Sequence, residues 1–198
     1  MSNFKEKLRA AKLPERTVPV CLRGDLTAEF EDLERQLAEA QRTPSLSLEG
    51  DGSADLAARI EALRAEMREH TEDFVLRAKP RQEWRAFLAA YPPRQDAEGN
   101  IDERDRGAII NMGTFWHALI RESVVSPELD DEDWRLLLGD DEEERERREK
   151  AGEPVEGGKL TDRQFEQLTD TAWALNRRDV DVPFSLAASR MMRSSSPE

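Results

Sequence analysis

Apolar residues recur along this chain at steps of three and four in short stretches set off by turns, and each stretch predicts a helix. From Thr27 to Gln41, Phe30, Leu33, Leu37 and Ala40 make one stripe, with acidic residues in the first turns and Glu31 and Arg35 at a supportive i,i+4 spacing. A second stripe, Leu56, Ile60, Leu63 and Met67, follows Ser53, a predicted N-cap. Between the two lie Pro44, Gly50 and Gly52. One continuous helix through them would lose about 1 kcal/mol at each glycine and about 3 kcal/mol at the proline. The pattern therefore predicts an antiparallel helical hairpin over Thr27 to His70. Val18, Val20 and Leu22 alternate like a strand ahead of it, with Pro19 restricting that strand to an edge, and Phe74 to Leu76 is a second extended segment behind it. Pairing of the two would close the base of the hairpin.

Beyond residue 78 the helices are shorter and carry rings. Pro80 stands at a first helical position, Trp84, Phe87, Leu88 and Tyr91 share one face, and Pro92-Pro93 stops the helix. A polar loop from Arg94 to Arg106 leads to a helix predicted over Asn111 to Ser123, packing through Phe115 and Leu119. Asp130 and Asp133 form an analogue of a capping box, and Leu129 is placed to staple onto Trp134, so a helix should run from Asp131 to Leu138. Leu160, Thr161, Gln164 and Phe165 repeat that grammar at the head of a helix using Leu168, Ala172 and Leu175. Val180, Val182 and Phe184 return to an apolar setting, Ser185 caps a last short helix through Ala188, and Ser194 to Glu198 reads as a frayed end.

Two regions lack such a stripe. Residues 1–17 read as a mobile basic tail, with Phe4, Leu8 and Ala11 on one side of a helix too short to stand alone. Asp140 to Gly158 holds nine acidic and four basic residues before Gly157 and Gly158, a composition that cannot bury enough apolar area to order itself. It is expected to be a solvated insertion at 139–159, helical at most at its start. The expected class is mainly α: a tail at 1–17, a helical hairpin with flanking extended segments at 18–78, and a helical domain at 79–198 built as a small bundle.

Composition sharpens this picture. Apolar and charged residues each make up 37% of the 198, so the core must be thin and much of the surface solvated. A formal charge of -13, without a basic stripe carrying interleaved aromatics, argues against nucleic acid and for solubility. Cys21, the single cysteine, reads as a small apolar residue without a disulfide partner. The longest apolar run, Ala86 to Tyr91, has six residues against the roughly 20 that cross a bilayer, and no leader pattern follows the first lysines. The expected product has no membrane segment and stays in the cytoplasm that makes it.

Reactive chemistry finds little support. His70 and His117 are the only histidines, neither in a catalytic motif, and His117 reads as a structural residue on its helix. No CxxC, HExxH, calcium loop, GxGxxG or P-loop occurs. Arg23-Gly24-Asp25 spells an adhesion tripeptide but leads straight into a helix. No catalytic, cofactor or metal residue is assigned, and the chain is expected not to be an enzyme. The aromatics are the informative set, because rings anchor both cores and interfaces, and a chain this polar needs most of them inside. Trp84, Phe87, Tyr91, Phe115, Trp116 and Trp173 are taken as partner-binding candidates, with Trp116 and Trp173 foremost because they stand beside the apolar stripes rather than on them.

Four pieces in order carry a resemblance: Cys21 to Leu26 ahead of a charged hairpin; Arg77 to Arg94 with Trp84 and Tyr91-Pro92-Pro93; Asn111 to Leu129 with Thr114-Phe115, Ala118-Leu119-Ile120, Ser123 and Pro127-Glu128-Leu129; and Leu175-Asn176 with Val182-Pro183-Phe184-Ser185 and Ala188-Ser189. Together they resemble the tail assembly chaperones of long-tailed (siphovirus-type) bacteriophages of actinobacteria. The insertion at Asp140 to Gly158 departs from the shorter connection expected there. The resemblance implies a non-catalytic protein of the host cytoplasm that keeps the tape-measure protein soluble while tail tube subunits polymerise around it. It implies as further partners a frameshift-extended form of the same chain and the tail tube subunits, and no cofactor, nucleic acid or membrane. The competing expectation is a structural adaptor or minor tail or connector protein retained in the virion.

Overall fold

A computed structural model describes residues 3–42 and 52–178. The expected break at Thr43 to Asp51 and the expectations for Val180, Val182, Phe184, the Ser185 helix and the Ser194 to Glu198 end lie outside these residues. The described chain is mainly helical with a small antiparallel sheet: α1 (Phe4–Arg9), β1 (Glu15–Cys21), α2 (Asp25–Arg42), α3 (Ser53–Glu69), β2 (Thr71–Arg77), α4 (Arg81–Ala90), a 3-10 turn (Glu103–Asp105), α5 (Phe115–Ser123), β3 (Val124–Ser126), α6 (Asp131–Leu138), α7 (Glu142–Ala151) and α8 (Asp162–Arg177).

The sheet has the order β1-β2-β3. β1 and β2 pair from Glu15↔Arg77 to Cys21↔Thr71, with Val18 opposite Phe74; Val18, Val20, Phe74 and Leu76 are buried, whereas Leu22, the third expected position of the alternation, lies past the end of β1 and is exposed. Pro19 sits on an edge strand, where its missing donor breaks no ladder. The strand begins at Glu15, three residues inside the expected tail. β3 pairs with β2 through Val75↔Ser126 and Leu76↔Val124 around a bulge, and nothing in the sequence reading had made Val124 and Val125 a strand. A three-residue strand is too short to show a period of two.

α2 packs along α3 around a cluster of its own, Leu26, Leu33, Ile60 and Leu63. The ends nearest the strands lie together, with Arg23 paired to Glu66. α3 takes Gly52 as its cap, in the left-handed conformation, so Ser53 opens the helix instead of capping it.

The main core forms where α5 and α8 cover the sheet. Phe74, Leu76, Phe115, Leu119, Ile120 and Leu168 are all but sealed from solvent. α8 is fixed at both ends: Gln164 Nε2 donates to the Cys21 carbonyl at 2.8 Å, and Asn176 Oδ1 accepts from the Lys79 amide at 2.8 Å. Both expected capping boxes are formed, Asp130 with Asp133 and Thr161 with Gln164. α5 starts at Phe115, later than Asn111, because Asn111 Oδ1 accepts from the Gly113 amide and holds a turn ahead of the helix. Pro80 is the cap of α4 and not its first residue.

The charged insertion departs most from expectation. α7 buries no residue, yet it is docked. Arg104 reaches Glu142 and Glu146, Arg94 reaches Glu142, and Asn111 Nδ2 donates to Glu143 at 2.9 Å. The two ends of the insertion are joined through backbone: the Asp140 amide donates to Glu156 O and the Lys159 amide to Leu137 O, each at 2.9 Å. Gly139 and Gly158 cross there with positive φ, and a Cβ on Gly139 would lie 2.8 Å from Glu156 O. Reasoning from apolar area alone missed this, because ion pairs and a backbone clasp order the segment instead.

Candidate partner-binding surface

Six aromatic rings, from α4 and its C-cap Tyr91, from α5 and from α8, form one connected set. Trp84 meets Trp173 edge-on at 5.6 Å, Trp173 meets Trp116 at 5.7 Å, and Trp116 meets Phe115 at 5.1 Å. Phe87 and Tyr91 close the far side against Phe115 at 5.3 and 6.0 Å. Phe165 of α8 joins a separate contact, with the His117 ring at 5.0 Å. The first six are the partner-binding candidates of the sequence, and the structure brings all six together, but not in one role.

Phe115 is 0% exposed, and Trp84 and Phe87 are also buried. This corrects their assignment: they are core, because Trp84 and Phe87 lie on the face of α4 turned to α5, and Phe115 lies in the row Phe115, Leu119, Ile120 and Ser123 that α5 buries. Tyr91, Trp116 and Trp173 are half-buried against that core and keep part of their rings at the surface. Trp116 and Trp173 flank the buried rows of their helices, as their offset from the stripe predicts. Arg177 lies over the Trp173 ring at 4.9 Å, giving one edge of the pair a cationic border. Burial pushes the Tyr91 phenol upward from its ordinary value, so it stays neutral at physiological pH.

The exposed apolar side chains Ile109 and Met112 lie on the loop entering α5, and sequence periodicity had not singled them out. That loop is fastened from beneath by Asp105, whose side chain is fully buried. Its carboxylate accepts from Arg94 N, Nε and Nη2 at 2.8, 2.9 and 2.8 Å and from the Met112 amide at 3.0 Å. The Arg94 guanidinium and these amides hold the Asp105 carboxyl far below the usual carboxylate range, and the same pairing raises Arg94 further. The polar loop expected over Arg94 to Arg106 thus holds a buried ion pair. An aspartate eleven residues from an arginine carries no periodic signal, so only the fold shows them meeting.

His117 is half-buried against Phe165, and desolvation lowers its pKa, so the imidazole is neutral near pH 7. His70 caps the end of α3 in the open, on a different element. Cys21 lies half-buried with its Sγ 3.7 Å from the Met67 carbonyl. No helix among the described residues is long and apolar enough to cross a membrane. The arrangement offers rigid aromatic edges for contact. Comparison of the chain with protein-family models, with curated proteins and with solved structures returned no match.

Proposed function

We propose that this protein is a non-catalytic tail assembly chaperone of a long-tailed bacteriophage, acting in the host cytoplasm to keep the tape-measure protein soluble until tube subunits enclose it. The observation that carries the reading is the Trp116 and Trp173 pair, half-buried, in ring contact across α5 and α8, and backed by Phe115 and Trp84. Such rings are held in place before binding, so little side-chain entropy is lost when a partner covers them. A tape measure is a long helical rod with apolar stripes, and an aromatic edge suits one face of such a helix. The charge of -13 keeps the loaded complex from aggregating. In this reading the charged hairpin of α2 and α3 is a solvated module, and α4, α5 and α8 belong to a small helical bundle that presents the client face.

Co-expression with the tape-measure protein tests this. Wild type should move the client into the soluble fraction, and the double variant Trp116→Ala, Trp173→Ala should lose most of that effect while keeping its helical circular dichroism. Unchanged client solubility with the folded double variant would reject the assignment. Finding the chain at stoichiometric amounts in finished particles would favour the retained adaptor instead.

A further inference from the structure

The first helix adds nothing to the core of the described residues. α1 buries none of its six residues, and Phe4 and Leu8, 73% and 63% exposed, stand one turn apart on the same side. Its charge is opposite to that of the rest. Lys5, Lys7, Arg9 and Lys12 against Glu6 give the first twelve residues +3, so the remaining chain carries -16.

An apolar groove of about 350 Å³ lies elsewhere, between the end of β1, the chain after β3 and the outer face of α6. Leu22, Pro127, Leu129 and Leu136 line it, and Leu22 and Leu136 are among the exposed apolar side chains. Glu72 and Asp133 stand on its rim with one base, Lys159. The stretch beside it, Glu128 to Asp133, holds five acidic residues and no basic one.

We propose that the groove receives the α1 arm of a second copy of this chain, Phe4 and Leu8 filling it while the lysines and Arg9 face Glu72 and the Glu128 to Asp133 acids. Charge selects this occupant. At contact range the +3 arm meets Glu72 and the Glu128 to Asp133 acids, while the repulsion between two acidic bodies acts over longer distances that physiological salt screens. Position favours the second copy, since Phe4 and Leu8 stand exposed and do not occupy the groove of their own chain. The arm leaves β1 at Glu15 and the groove opens beyond Cys21, the other end of a seven-residue strand, so they are separated by about 3.3 Å per residue along it. The Ala78 amide donates to Pro14 O at 3.0 Å, which fastens the base of the arm at the far end. Arm and groove are different patches, so copies join either as a closed pair that exchanges arms or head-to-tail, where each added copy leaves one arm and one groove free. This inference does not depend on the client reading.

Sedimentation equilibrium of the full chain tests it, at about 0.15 M and about 1 M salt. The weight-average mass should rise to two monomers or beyond with concentration at the lower salt, and fall toward one monomer as salt screens the contact. The arm variant Phe4→Ser, Leu8→Ser and the groove variant Leu136→Asp should each be monomeric alone. Mixed in equal amounts, they should form a species that stops at two monomers, because only one good arm and one good groove remain per pair. A monomeric wild type, association surviving in either variant, or a mixture that stays monomeric overturns the proposal. So does protection of the groove by the arm at monomer mass, which would place the arm on its own molecule, and so does arm-dependent flotation of wild type with anionic vesicles in place of self-association. The aromatic double variant should associate as wild type does, which separates this outcome from that of the client test.

Discussion

Replacing Asp105 by alanine removes the single acceptor of four N–H groups, three on Arg94 and one on Met112. Breaking a buried ion pair by deleting one partner costs about 3–5 kcal/mol, chiefly through the charge left behind. Here the stranded guanidinium is 14% exposed and keeps Glu142 at 2.9 Å, which places the loss near the lower end, about 3 kcal/mol. With a urea slope of about 2 kcal/mol/M, the unfolding midpoint should drop by roughly 1.5 M. The double variant Arg94→Leu, Asp105→Leu should recover part of that loss, since no unpaired charge remains. Glu61→Ala, which removes an exposed partner of Arg64, should cost less than about 1 kcal/mol. Urea unfolding followed by circular dichroism reads all three. If Asp105→Ala costs under about 1 kcal/mol, or if the double variant is no better than the single, Asp105 does not fasten the loop and the reasoning fails.

Other consequences follow from the same geometry. The folded state holds Asp105 below its ordinary pKa of about 3.9, so its stabilisation is complete above that value and lost as pH falls below it. Acid unfolding of Asp105→Asn should show a shallower dependence over that range. His117 is depressed in the folded state, so its contribution runs the same way at higher pH: protonation favours the unfolded chain as pH drops below about 6.5, and an NMR titration of the ring should give a midpoint under that value. Gly139→Ala should cost about 1–3 kcal/mol by urea unfolding, from its positive φ and the clash with Glu156 O, while Ala at Gly157, where nothing crowds a Cβ, should be nearly neutral. Raising salt to about 1 M should speed amide exchange in Glu142 to Ala151 but not in Phe115 to Ser123, because ion pairs hold the first and buried rings the second.

What the sequence disclosed follows the range over which its signals act. Capping boxes at Asp130 and Thr161 are local chemistry within four residues, and both formed where expected. Alternation at Val18 and Val20 and the edge position of Pro19 were likewise readable from neighbours. The pairing of β1 with β2 follows once the helices between them return the chain to its start. Long-range polar contacts left no such trace. Arg94 with Asp105, Arg104 with Glu142, and the crossing of Gly139 with Gly158 depend on loops whose paths no period encodes. For the aromatics, helical offset separated Trp116 and Trp173 from Phe115 correctly. It did not show which rings Trp84 and Phe87 would pack against, because that depends on where α4 lies against α5 and α8.

The central claim is that the half-buried indoles of α5 and α8 grip a client helix. Hydrogen exchange of the co-expressed complex with the tape-measure protein, compared with the free chain, tests it most directly. Protection should appear over Met112 to Leu119 and Thr169 to Arg177, with the α2 and α3 pair exchanging as it does alone. Protection confined to α2 and α3, with the Trp116 and Trp173 segments unchanged, would contradict it.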